Sequence, residues 1–460
     1  MDNHNSTQII FAILFGISFA LMLAVLFQTL YLWVLALAST HTRVIKPGVT
    51  PKNLFAIVIP AHDEEAVIAD TVKRLRELDY PAHMFDVHIV ADHCTDDTAP
   101  RGREAGGIVH ERNSGPRTGK GAALTWLFGR ILSVPESESD QAASSATNVA
   151  AHVKCPYTAV IIFDADTRVA PDFLRIMDAR LAQGDLVIQG QHRISNREQG
   201  LFPALTHAMF LIDNRFQNQG RTNLGLSAKI MGDSVCFNAD VLRNLGWGEG
   251  LTEDYQLRLR LLKAGVRVVY EPAAIGNGEA ALTWKQARAQ RARWLTGTHN
   301  ASQELARPLL GESLRRRDWA MLDGALQARS LAYSTLTLMC MAGLALQIAI
   351  NTVAVMMPTH ALAFPVGLVL AWAILTAVLF VYPFFGLGLE KAPASAYAAT
   401  ICAGPMYIFW RTRLAFTSRL SRLPIQWVRT EHGKTKDAVV KPVTLPSSSV
   451  RFKQQEAASD

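Results

Sequence analysis

The chain has 460 residues and a formal net charge of +7, from 46 lysine and arginine residues against 39 aspartate and glutamate residues. This length exceeds that of one ordinary domain. The basic residues do not form a cluster with interleaved aromatic residues, so we expect no nucleic-acid partner. The five cysteines are scattered, odd in number and without metal-ligand spacing, which is typical of reduced cysteines in a reducing compartment.

The first predicted element is an apolar stretch without any charged residue between positions 5 and 40. It is longer than the core of a signal peptide, and it lacks a basic start and a small-residue cleavage site. Asp2 is the only charge before it, whereas Arg43 and Lys46 follow it. The positive-inside rule therefore predicts a transmembrane anchor over residues 1–42, with the following residues in the cytoplasm.

Residues 43–300 carry the predicted catalytic domain. Buried-strand patterns alternate with amphipathic helix patterns in its first half, and the strands are predicted at 53–60, 85–91, 107–110 and 159–163. This alternation predicts a parallel sheet with crossover helices. Residues 133–153 are rich in serine and alanine and weakly periodic, so we expect a mobile surface insertion there.

Acidic side chains follow the predicted strands. Asp92 comes after the second strand, and Asp164 and Asp166 come after the fourth. In open α/β sheets, ligands bind outside the carboxyl ends of the strands. An acidic cleft in a basic protein predicts a nucleotide diphosphate bound with Mg²⁺ or Mn²⁺, because hard carboxylate oxygens suit these cations. Lys120, which lies among glycines, could meet the phosphate or nucleotide, or be a solvated lysine at a helix start.

A second acidic group, Glu253 and Asp254, lies at the start of a helix predicted over residues 255–264. The backbone N–H groups of a helix N-terminus favour negative charge, and an ionised carboxylate can accept a proton from an attacking hydroxyl. An N-cap with two solvated acids is the simpler interpretation of this stretch alone.

A basic stretch at residues 284–298 follows, with tryptophans at both ends. We predict that Gln290, Arg293 and Trp294 border the active site. Tryptophan offers a flat apolar face to a sugar ring, and arginine can stabilise a departing diphosphate. An amphipathic helix lying on a membrane is compatible with the same pattern.

The C-terminal part is predicted to be membrane-embedded. Residues 330–389 contain no charged side chain and suffice for two spans of roughly 20 residues each. A third apolar piece at 394–410 is interrupted by glycine and proline, and could be a third span or a re-entrant helix. We therefore expect an interfacial helical linker over 301–329, a membrane segment over 330–415 and a basic tail over 416–460.

Taken in order, these motifs resemble the D, DxD, TED and QxxRW series of membrane-bound family 2 glycosyltransferases. They are Asp92, Asp164-Ala165-Asp166, Thr252-Glu253-Asp254 and Gln290-Arg291-Ala292-Arg293-Trp294. The group includes cellulose, hyaluronan, chitin and poly-N-acetylglucosamine synthases, and ceramide glucosyltransferases are relatives. The resemblance implies an α/β cytoplasmic domain of the GT-A type (Rossmann-like) with flanking transmembrane α-helices.

The resemblance also implies a role for each site residue. Asp92 would contact a uracil-type base, with Lys120 in the donor site, and Asp164 and Asp166 would hold the diphosphate and its Mg²⁺ or Mn²⁺. Asp254 would be the general base. The acceptor and the leaving diphosphate would be bordered by Glu253, Gln290, Arg293 and Trp294.

The implied activity is an inverting transfer of a hexosyl or N-acetylhexosaminyl group from a nucleotide sugar, with UDP expected, to an acceptor hydroxyl, giving a β-glycosidic bond. We expect this reaction in exopolysaccharide or capsule synthesis by a multi-pass protein of the inner (cytoplasmic) membrane. A growing glycan, the lipid bilayer and export proteins would then be its partners. The alternatives are transfer of a single sugar to a lipid and a non-catalytic subunit that senses sugar nucleotides.

Overall fold

The computed structural model describes residues 2–42, 45–48, 50–133, 157–248, 250–356 and 366–420. This part of the chain contains one eight-stranded sheet, with helices on both of its faces and at both ends of the chain. The strands are β1 (Phe55–Ala61), β2 (Phe85–Asp92), β3 (Ile108–Arg112), β4 (Ala159–Ile162), β5 (Arg168–Val169), β6 (Val187–Ile194), β7 (Val235–Asn238) and β8 (Val268–Gly278).

The helices vary from a single turn to more than thirty residues. They are α1 (Asp2–Ala38), α2 (Ile68–Arg76), α3 (Thr98–Glu104), α4 (Lys120–Ile131), α5 (Phe173–Ala182), α6 (Leu201–Asp213), α7 (Gly220–Asn223), α8 (Ala239–Leu245), α9 (Glu253–Lys263), α10 (Trp284–Arg316), α11 (Trp319–Arg329), α12 (Tyr333–Met356), α13 (Val366–Leu389) and α14 (Ala394–Leu420). A π-helical segment, Asn214–Gln219, joins α6 to α7. The insertion predicted at 133–153 lies, apart from its first residue, outside the described residues, as does the tail from residue 421 onward.

The sheet is mixed, with the strand order β3-β2-β1-β4-β7-β6-β8-β5. β1 pairs in parallel with β2 and β4, and β2 pairs in parallel with β3, as the alternation of strands and helices predicts. β7 is antiparallel to β4 and β6, and β5 is antiparallel to β8. The prediction of a parallel sheet is therefore wrong for β5 and β7. These strands have two and four residues, too few to show a period in the sequence.

Two apolar layers cover the sheet. Along β1, Phe55, Ile57 and Ile59 pack into one layer, while Ala56 and Val58 pack into the other. Helices α2 and α5 complete the first layer, and helices α4, α8 and α9 complete the second. A strand buried on both faces forms a continuous apolar run, which is why β1 can be predicted from its sequence.

One edge of the sheet collects the ends that carry the predicted acids. Because β1 pairs in parallel with β2 and β4, the residues that follow these strands meet at the same edge. Val235, the first residue of β7, pairs with Ile162, the last residue of β4. The antiparallel direction of β7 therefore brings the residues before it, including Asp233, next to Asp164.

Three helical segments in the described part of the chain are long and apolar enough to cross a membrane. They are Ala12–Ala38 in α1, Tyr333–Val353 in α12 and Gly367–Leu389 in α13. They pack around the buried Trp372, whose indole Nε1 donates a hydrogen bond to Ser18 Oγ at 3.3 Å. The N-terminal anchor and the two C-terminal spans expected from the sequence lie in these parts of the chain, and their crossing of a membrane stays a prediction.

Two long helices differ in extent from their sequence patterns. The third apolar piece belongs to α14, a 27-residue helix that continues through Pro405 and is not one of the three apolar segments. The basic stretch begins α10, which has 33 residues and starts with a capping box between Thr283 and Gln286. Residue 300, where we placed the domain boundary, lies inside this helix. α10 and α11 then form a helical hairpin, turning at Arg317 in the left-handed conformation.

Candidate active site

Asp233 holds the loop that carries the DxD residues. Its Oδ1 accepts hydrogen bonds from the Asp164 backbone N–H at 3.0 Å and from Thr167 Oγ1 at 2.9 Å. Its Oδ2 accepts hydrogen bonds from His192 Nδ1 at 2.6 Å and from Ser234 Oγ at 3.0 Å. These four hydrogen bonds satisfy the Asp233 carboxylate, which is only 2% exposed, and they hold the DxD loop in position.

The charges of Asp233 and His192 support each other. Burial would raise the pKa of the Asp233 carboxyl, but the hydrogen bond and charge of His192, with the charge of Lys120, hold this pKa below its usual range. Burial would lower the pKa of His192, but Asp233, Asp164 and Asp166 raise it. Each of the two groups therefore favours the charged form of the other. Sequence reasoning gave neither residue a role; an aspartate directly after Gly232 was the available signal for Asp233, and His192 offered none.

Lys120 connects two parts of the site. Its ammonium group is ion-paired with Asp164 Oδ1 and donates a hydrogen bond to the Gly232 carbonyl oxygen at 2.6 Å. Burial lowers the pKa of Lys120, but Asp164, Asp233 and Glu253 outweigh burial and raise it. A charged lysine therefore lies between the DxD loop and the second acidic pair. Lys120 is therefore not a solvated lysine at a helix start, and its role in donor binding stays a prediction.

Asp164 and Asp166 place two carboxylates just after β4. The Asp164 side chain is 47% exposed. Asp166 Oδ2 accepts a weak hydrogen bond from the Glu279 backbone N–H at 3.3 Å, just after β8. Mg²⁺ is held in many nucleotide sites by one or two carboxylates together with water and substrate phosphates. The donor set here fits Mg²⁺ or Mn²⁺ on that basis.

The second acidic pair, Glu253 and Asp254, begins α9 next to this loop. Asp254 Oδ1 accepts a hydrogen bond from the Tyr255 backbone N–H at 2.8 Å. A Cβ atom on Gly232 would lie 3.2 Å from Asp254 Oδ2, and Gly232 has a φ of +76°. Only glycine satisfies both conditions easily, and it allows the backbone of the Gly232 loop to approach Asp254. Lys120 and Asp254 therefore contact the same glycine.

Glu253 and Asp254 are not solvated acids. Glu253 is 8% exposed, and burial and the charge of Asp254 raise its pKa to about 7 against the opposing effects of Lys120 and Arg293. Burial also raises the pKa of Asp254, against the Tyr255 N–H, Lys120 and Arg293. We expected the helix N-terminus to keep Asp254 ionised; burial acts in the opposite direction and raises the pKa of this carboxyl. A carboxylate with a raised pKa is a stronger base, which suits proton abstraction near neutral pH.

Helix α10 crosses the segment Leu251-Thr252-Glu253-Asp254, called the TED loop below, at Gly297. A Cβ atom there would lie 2.6 Å from Thr252 Cγ2 and 3.0 Å from Leu251 Cβ. One turn earlier, Arg293 Nη1 donates a hydrogen bond to the Leu251 carbonyl oxygen at 3.2 Å. The α10 backbone is therefore held against the loop that presents Glu253 and Asp254.

Arg293 lies near the acidic pair, whereas Trp294 on the same helix contacts Arg291. Trp294 carries the guanidinium of Arg291 over its ring, 4.6 Å from the centroid. Gln290 and Trp294 are half-buried on the same helix. Within the described residues, no hydrogen bond joins either side chain to Asp254 or to the DxD loop. Their predicted place at the acceptor border rests on sharing a helical turn with Arg293.

Asp92 lies at the same sheet edge, and its carboxylate is already paired. It is 5% exposed, with Oδ1 ion-paired to Arg112 and accepting a hydrogen bond from His93 Nδ1 at 3.0 Å. His62 donates from Nδ1 to the Asp92 carbonyl oxygen at 2.7 Å. The groups around Asp92 that reach solvent are therefore His62 and His93, with Arg117 against His62 Nε2.

The folded chain brings Cys94 next to His62 and Asp63, although the cysteines show no metal-ligand spacing in the sequence. One ligand atom from each of the three residues lies within 4.8 Å of the other two. Burial raises the pKa of the Cys94 thiol, and Arg117 lies against His62 Nε2, the imidazole nitrogen left by the bond to Asp92. Both features favour a hydrogen-bonded loop contact over a metal centre.

The chain is similar to known glycosyltransferases. Residues 159–387 match the family model described as glycosyl transferase family group 2. The chain is 25% identical over 247 residues to the probable glycosyltransferase YdaM of Bacillus subtilis (strain 168), covering 53% of this chain and 54% of that protein. It is 28% identical over 281 residues to the beta-monoglucosyldiacylglycerol synthase of Nostoc sp., covering 58% of this chain and 54% of that protein. The chain thus matches about half the length of these relatives.

Among solved structures, the chain is similar to the mannosyltransferase PcManGT from Pyrobaculum calidifontis, in complex with GDP-Man and Mn²⁺. The two are 17% identical, the match covers 79% of this chain and 98% of that chain, and the TM-score is 0.48.

The family match over residues 159–387 and the names of these relatives support a transferase. Together with the mixed sheet, this confirms the predicted α/β fold of the GT-A type. The matched segment begins at β4 and includes the DxD, TED and QxxRW motifs, whereas Asp92 and Lys120 lie before it.

Proposed function

We propose that the protein is an inverting glycosyltransferase that moves a sugar from a nucleoside diphosphate donor, with uridine as the expected nucleoside, to a hydroxyl group of a lipid. The observation that carries this proposal is the meeting of two carboxylate pairs at one sheet edge, on either side of Lys120. One pair, Asp164 and Asp166, suits a metal-bound diphosphate, and the other, Glu253 and Asp254, suits a base.

The donor end of the site is assigned to the DxD loop and Lys120. Asp164 and Asp166 would hold Mg²⁺ or Mn²⁺, which would neutralise charge on the departing diphosphate. Lys120 is paired with Asp164 and supplies a buried positive charge on the same side of the site. Asp233 and His192 keep the loop in place, so little reorganisation is needed when the donor binds.

The acceptor end is assigned to Asp254. The acceptor hydroxyl oxygen forms a bond to the anomeric carbon as the bond from that carbon to the diphosphate oxygen breaks, and the diphosphate keeps the electron pair. The hydroxyl proton passes to the Asp254 carboxylate. A single displacement inverts the anomeric configuration, so an α-linked donor gives a β-glycoside. Arg293, one helical turn from the contact of α10 with Thr252, lies on the side from which the acceptor is expected to enter.

A lipid acceptor is favoured over a growing glycan for two reasons. Three apolar helical segments long enough to cross a bilayer pack beside the domain. The names of three curated relatives, at 27% to 28% identity, are beta-monoglucosyldiacylglycerol synthases. We therefore infer a multi-pass protein of the cytoplasmic membrane, with its catalytic domain on the cytoplasmic side. Polysaccharide synthesis, which the resemblance led us to expect, is the competing outcome.

The full chain, reconstituted in phospholipid nanodiscs with diacylglycerol, tests this function. We expect a panel of UDP-sugars with Mg²⁺ or Mn²⁺ to give one glycolipid band with a β-linkage, and excess chelator to abolish it. Asp254→Asn should lower transfer by about 10²- to 10⁴-fold while nucleotide binding persists. Asp240→Asn, an exposed aspartate on α8, is the control and should change neither.

Three outcomes would contradict the proposal in different ways. A ladder of products would replace the lipid acceptor by a growing glycan. Full activity in excess chelator would remove the metal from the site. Unchanged turnover of Asp254→Asn would assign the base to another group.

A further inference from the structure

Helix α11 has an apolar face that the rest of the described chain leaves uncovered. Trp319 is 75% exposed and Leu326 is 36% exposed, and Leu322 between them is half-buried. Their spacing of three and four residues places them on one side of the helix. Leu314, near the end of α10, is 66% exposed and extends the patch. Residues 314, 319, 322 and 326 are called the α11 face below.

The side of α11 that adjoins this face carries buried polar groups. Asp323 Oδ2 accepts a hydrogen bond from Arg221 Nε at 2.8 Å, and Oδ1 accepts one from the Tyr31 hydroxyl at 2.6 Å. Gln327 Oε1 accepts a hydrogen bond from Arg258 Nη1 of α9. Asp323 and Arg221 are 5% and 0% exposed. These bonds fix the rotation of the helix about its axis, and in that rotation Trp319 and Leu326 stay exposed.

Contacts with α1 place the α11 face beside the apolar segment of that helix. Tyr31 and Gln28 both lie within Ala12–Ala38. Tyr31 contacts Asp323, and the Gln28 side chain exchanges two hydrogen bonds with the Leu331 backbone, at 2.6 and 3.2 Å. α11 therefore runs alongside the part of α1 that is long and apolar enough to cross a membrane. Two residues after Leu331, α12 begins the next such segment.

Arginines flank the α11 face. Arg315 and Arg316 are paired with Glu312, so their charge is partly neutralised. Arg317 and Arg329 are exposed, and neither forms an ion pair within the described ranges of the chain. Tryptophan and arginine beside an apolar face are typical of segments at a membrane–water boundary. Each arginine near an anionic leaflet favours binding by about 1 kcal/mol, or about fivefold.

We propose that the α11 face lies in the headgroup region of the bilayer and prefers anionic phospholipids, through Arg317 and Arg329. The occupant of the face is thus the lipid surface. This inference rests on the membrane location in the proposed function, and it adds a defined contact between the bilayer and α11. Through Gln327, α11 accepts a hydrogen bond from Arg258 of α9, the helix that carries Asp254 one turn earlier.

Photocrosslinking of the full chain in nanodiscs tests the contact. A benzophenone amino acid is placed at position 326, in nanodiscs of phosphatidylcholine and phosphatidylglycerol that carry an alkyne tag on either lipid. Position 27, an α1 residue that is 64% exposed, is the positive control. Position 186, a leucine that is 42% exposed just before β6, is the negative control. We expect lipid adducts at 326 and 27 and none at 186.

The charge preference is tested in the same assay. Replacing Arg317 and Arg329 together by glutamine should lower the preference of the position-326 adduct for phosphatidylglycerol by about fivefold for each arginine. Lys73→Gln, an exposed lysine on α2, should leave the preference unchanged.

The outcomes separate this proposal from the proposed function. Adducts at 27 without any at 326 would overturn the α11 contact while leaving the membrane location intact. Adducts between two copies of the chain at 326 would make the face a protein interface and also overturn it. Absence of lipid adducts at both positions would overturn the membrane location itself. Sugar transfer measured on the same nanodiscs reports independently on the activity.

Discussion

Glu253 shows how burial sets the chemistry of one residue. Its carboxyl group is packed inside the domain beside Asp254, with Lys120 and Arg293 as the opposing charges. Its pKa rises from 4.5 to about 7, so the folded protein favours the protonated form. Folded-state stability from this group is therefore fully present below pH 4.5 and is lost as the pH rises towards 7.

Glu253→Gln is expected to stabilise the protein at alkaline pH. A neutral amide of the same shape removes the cost of burying a charge, which is of the order of 3 kcal/mol above pH 7. We expect the Tm of the variant to exceed that of the original protein at pH 8 and the difference to shrink at pH 5. Glu77→Gln, an exposed glutamate, is the control and should show no such pH dependence. An equal Tm difference at both values of pH would contradict the raised pKa.

Some residues of the candidate site could be predicted because the sequence next to them shows their place at a strand end or a helix start. Others could not be predicted. The DxD and TED acids follow a strand or begin a helix, and those positions are visible as patterns. His192 belongs to β6 and Asp233 comes just before β7, and both are far from the DxD loop in sequence. They reach it only because β7 runs antiparallel to β4. A single histidine in a strand gives no sign of such a partner.

At the scale of elements, strands buried on both faces were predictable, and elements defined by tertiary contacts were not. β1 is a continuous apolar run and β2 is largely apolar, so their positions agree with prediction. β8 has 11 residues, although only its first part has a strand pattern, because pairing with β6 extends it through Gly278. α10 continues well past its predicted end, since its packing against α9 and α11 sustains it there.

Gly297 is where the geometry of α10 controls the acidic pair, so we predict that Gly297→Ala lowers kcat. The new methyl group would overlap Thr252 and push α10 and the TED loop apart. A displacement of about 1 Å at a reacting group can lower the rate by about 100-fold. We expect a fall in kcat towards that size, with little change in the KM for the donor.

Gly311→Ala is the matched control for this variant. Gly311 lies on the same helix, and a Cβ atom there would meet nothing within 4 Å. Replacing a helical glycine by alanine stabilises a helix by up to about 1 kcal/mol, so Gly311→Ala should raise Tm slightly and keep kcat. If both alanine variants have the same kcat, close packing at Gly297 does not position the acidic pair.

At the scale of the whole molecule, one buried polar network joins the apolar N-terminal helix to the catalytic domain. Asp323 of α11 is its centre, and it contacts Tyr31 of α1 and Arg221 of α7. Arg258 of α9 lies 4.0 Å from the same carboxylate, and its Nε donates a hydrogen bond to the Ala228 carbonyl oxygen at 2.7 Å. Burial and the charge of Arg221 lower the pKa of Arg258 to about 10, which still leaves it charged at neutral pH.

Two buried arginines share the single carboxylate of Asp323, so Asp323→Asn should be strongly destabilising. Loss of one partner from a buried ion pair costs about 3–5 kcal/mol, because the remaining charge is uncompensated. We expect a large drop in Tm and faster proteolysis after α1.

Asp70→Asn, which breaks an exposed pair with Arg74, is the control and should cost at most about 1 kcal/mol. Adding Arg258→Met to Asp323→Asn should cost less than the sum of the two single variants, because one uncompensated charge is removed with its partner. Strict additivity, or an Asp323→Asn variant as stable as Asp70→Asn, would mean that the network does not join α1 to the helix of Asp254.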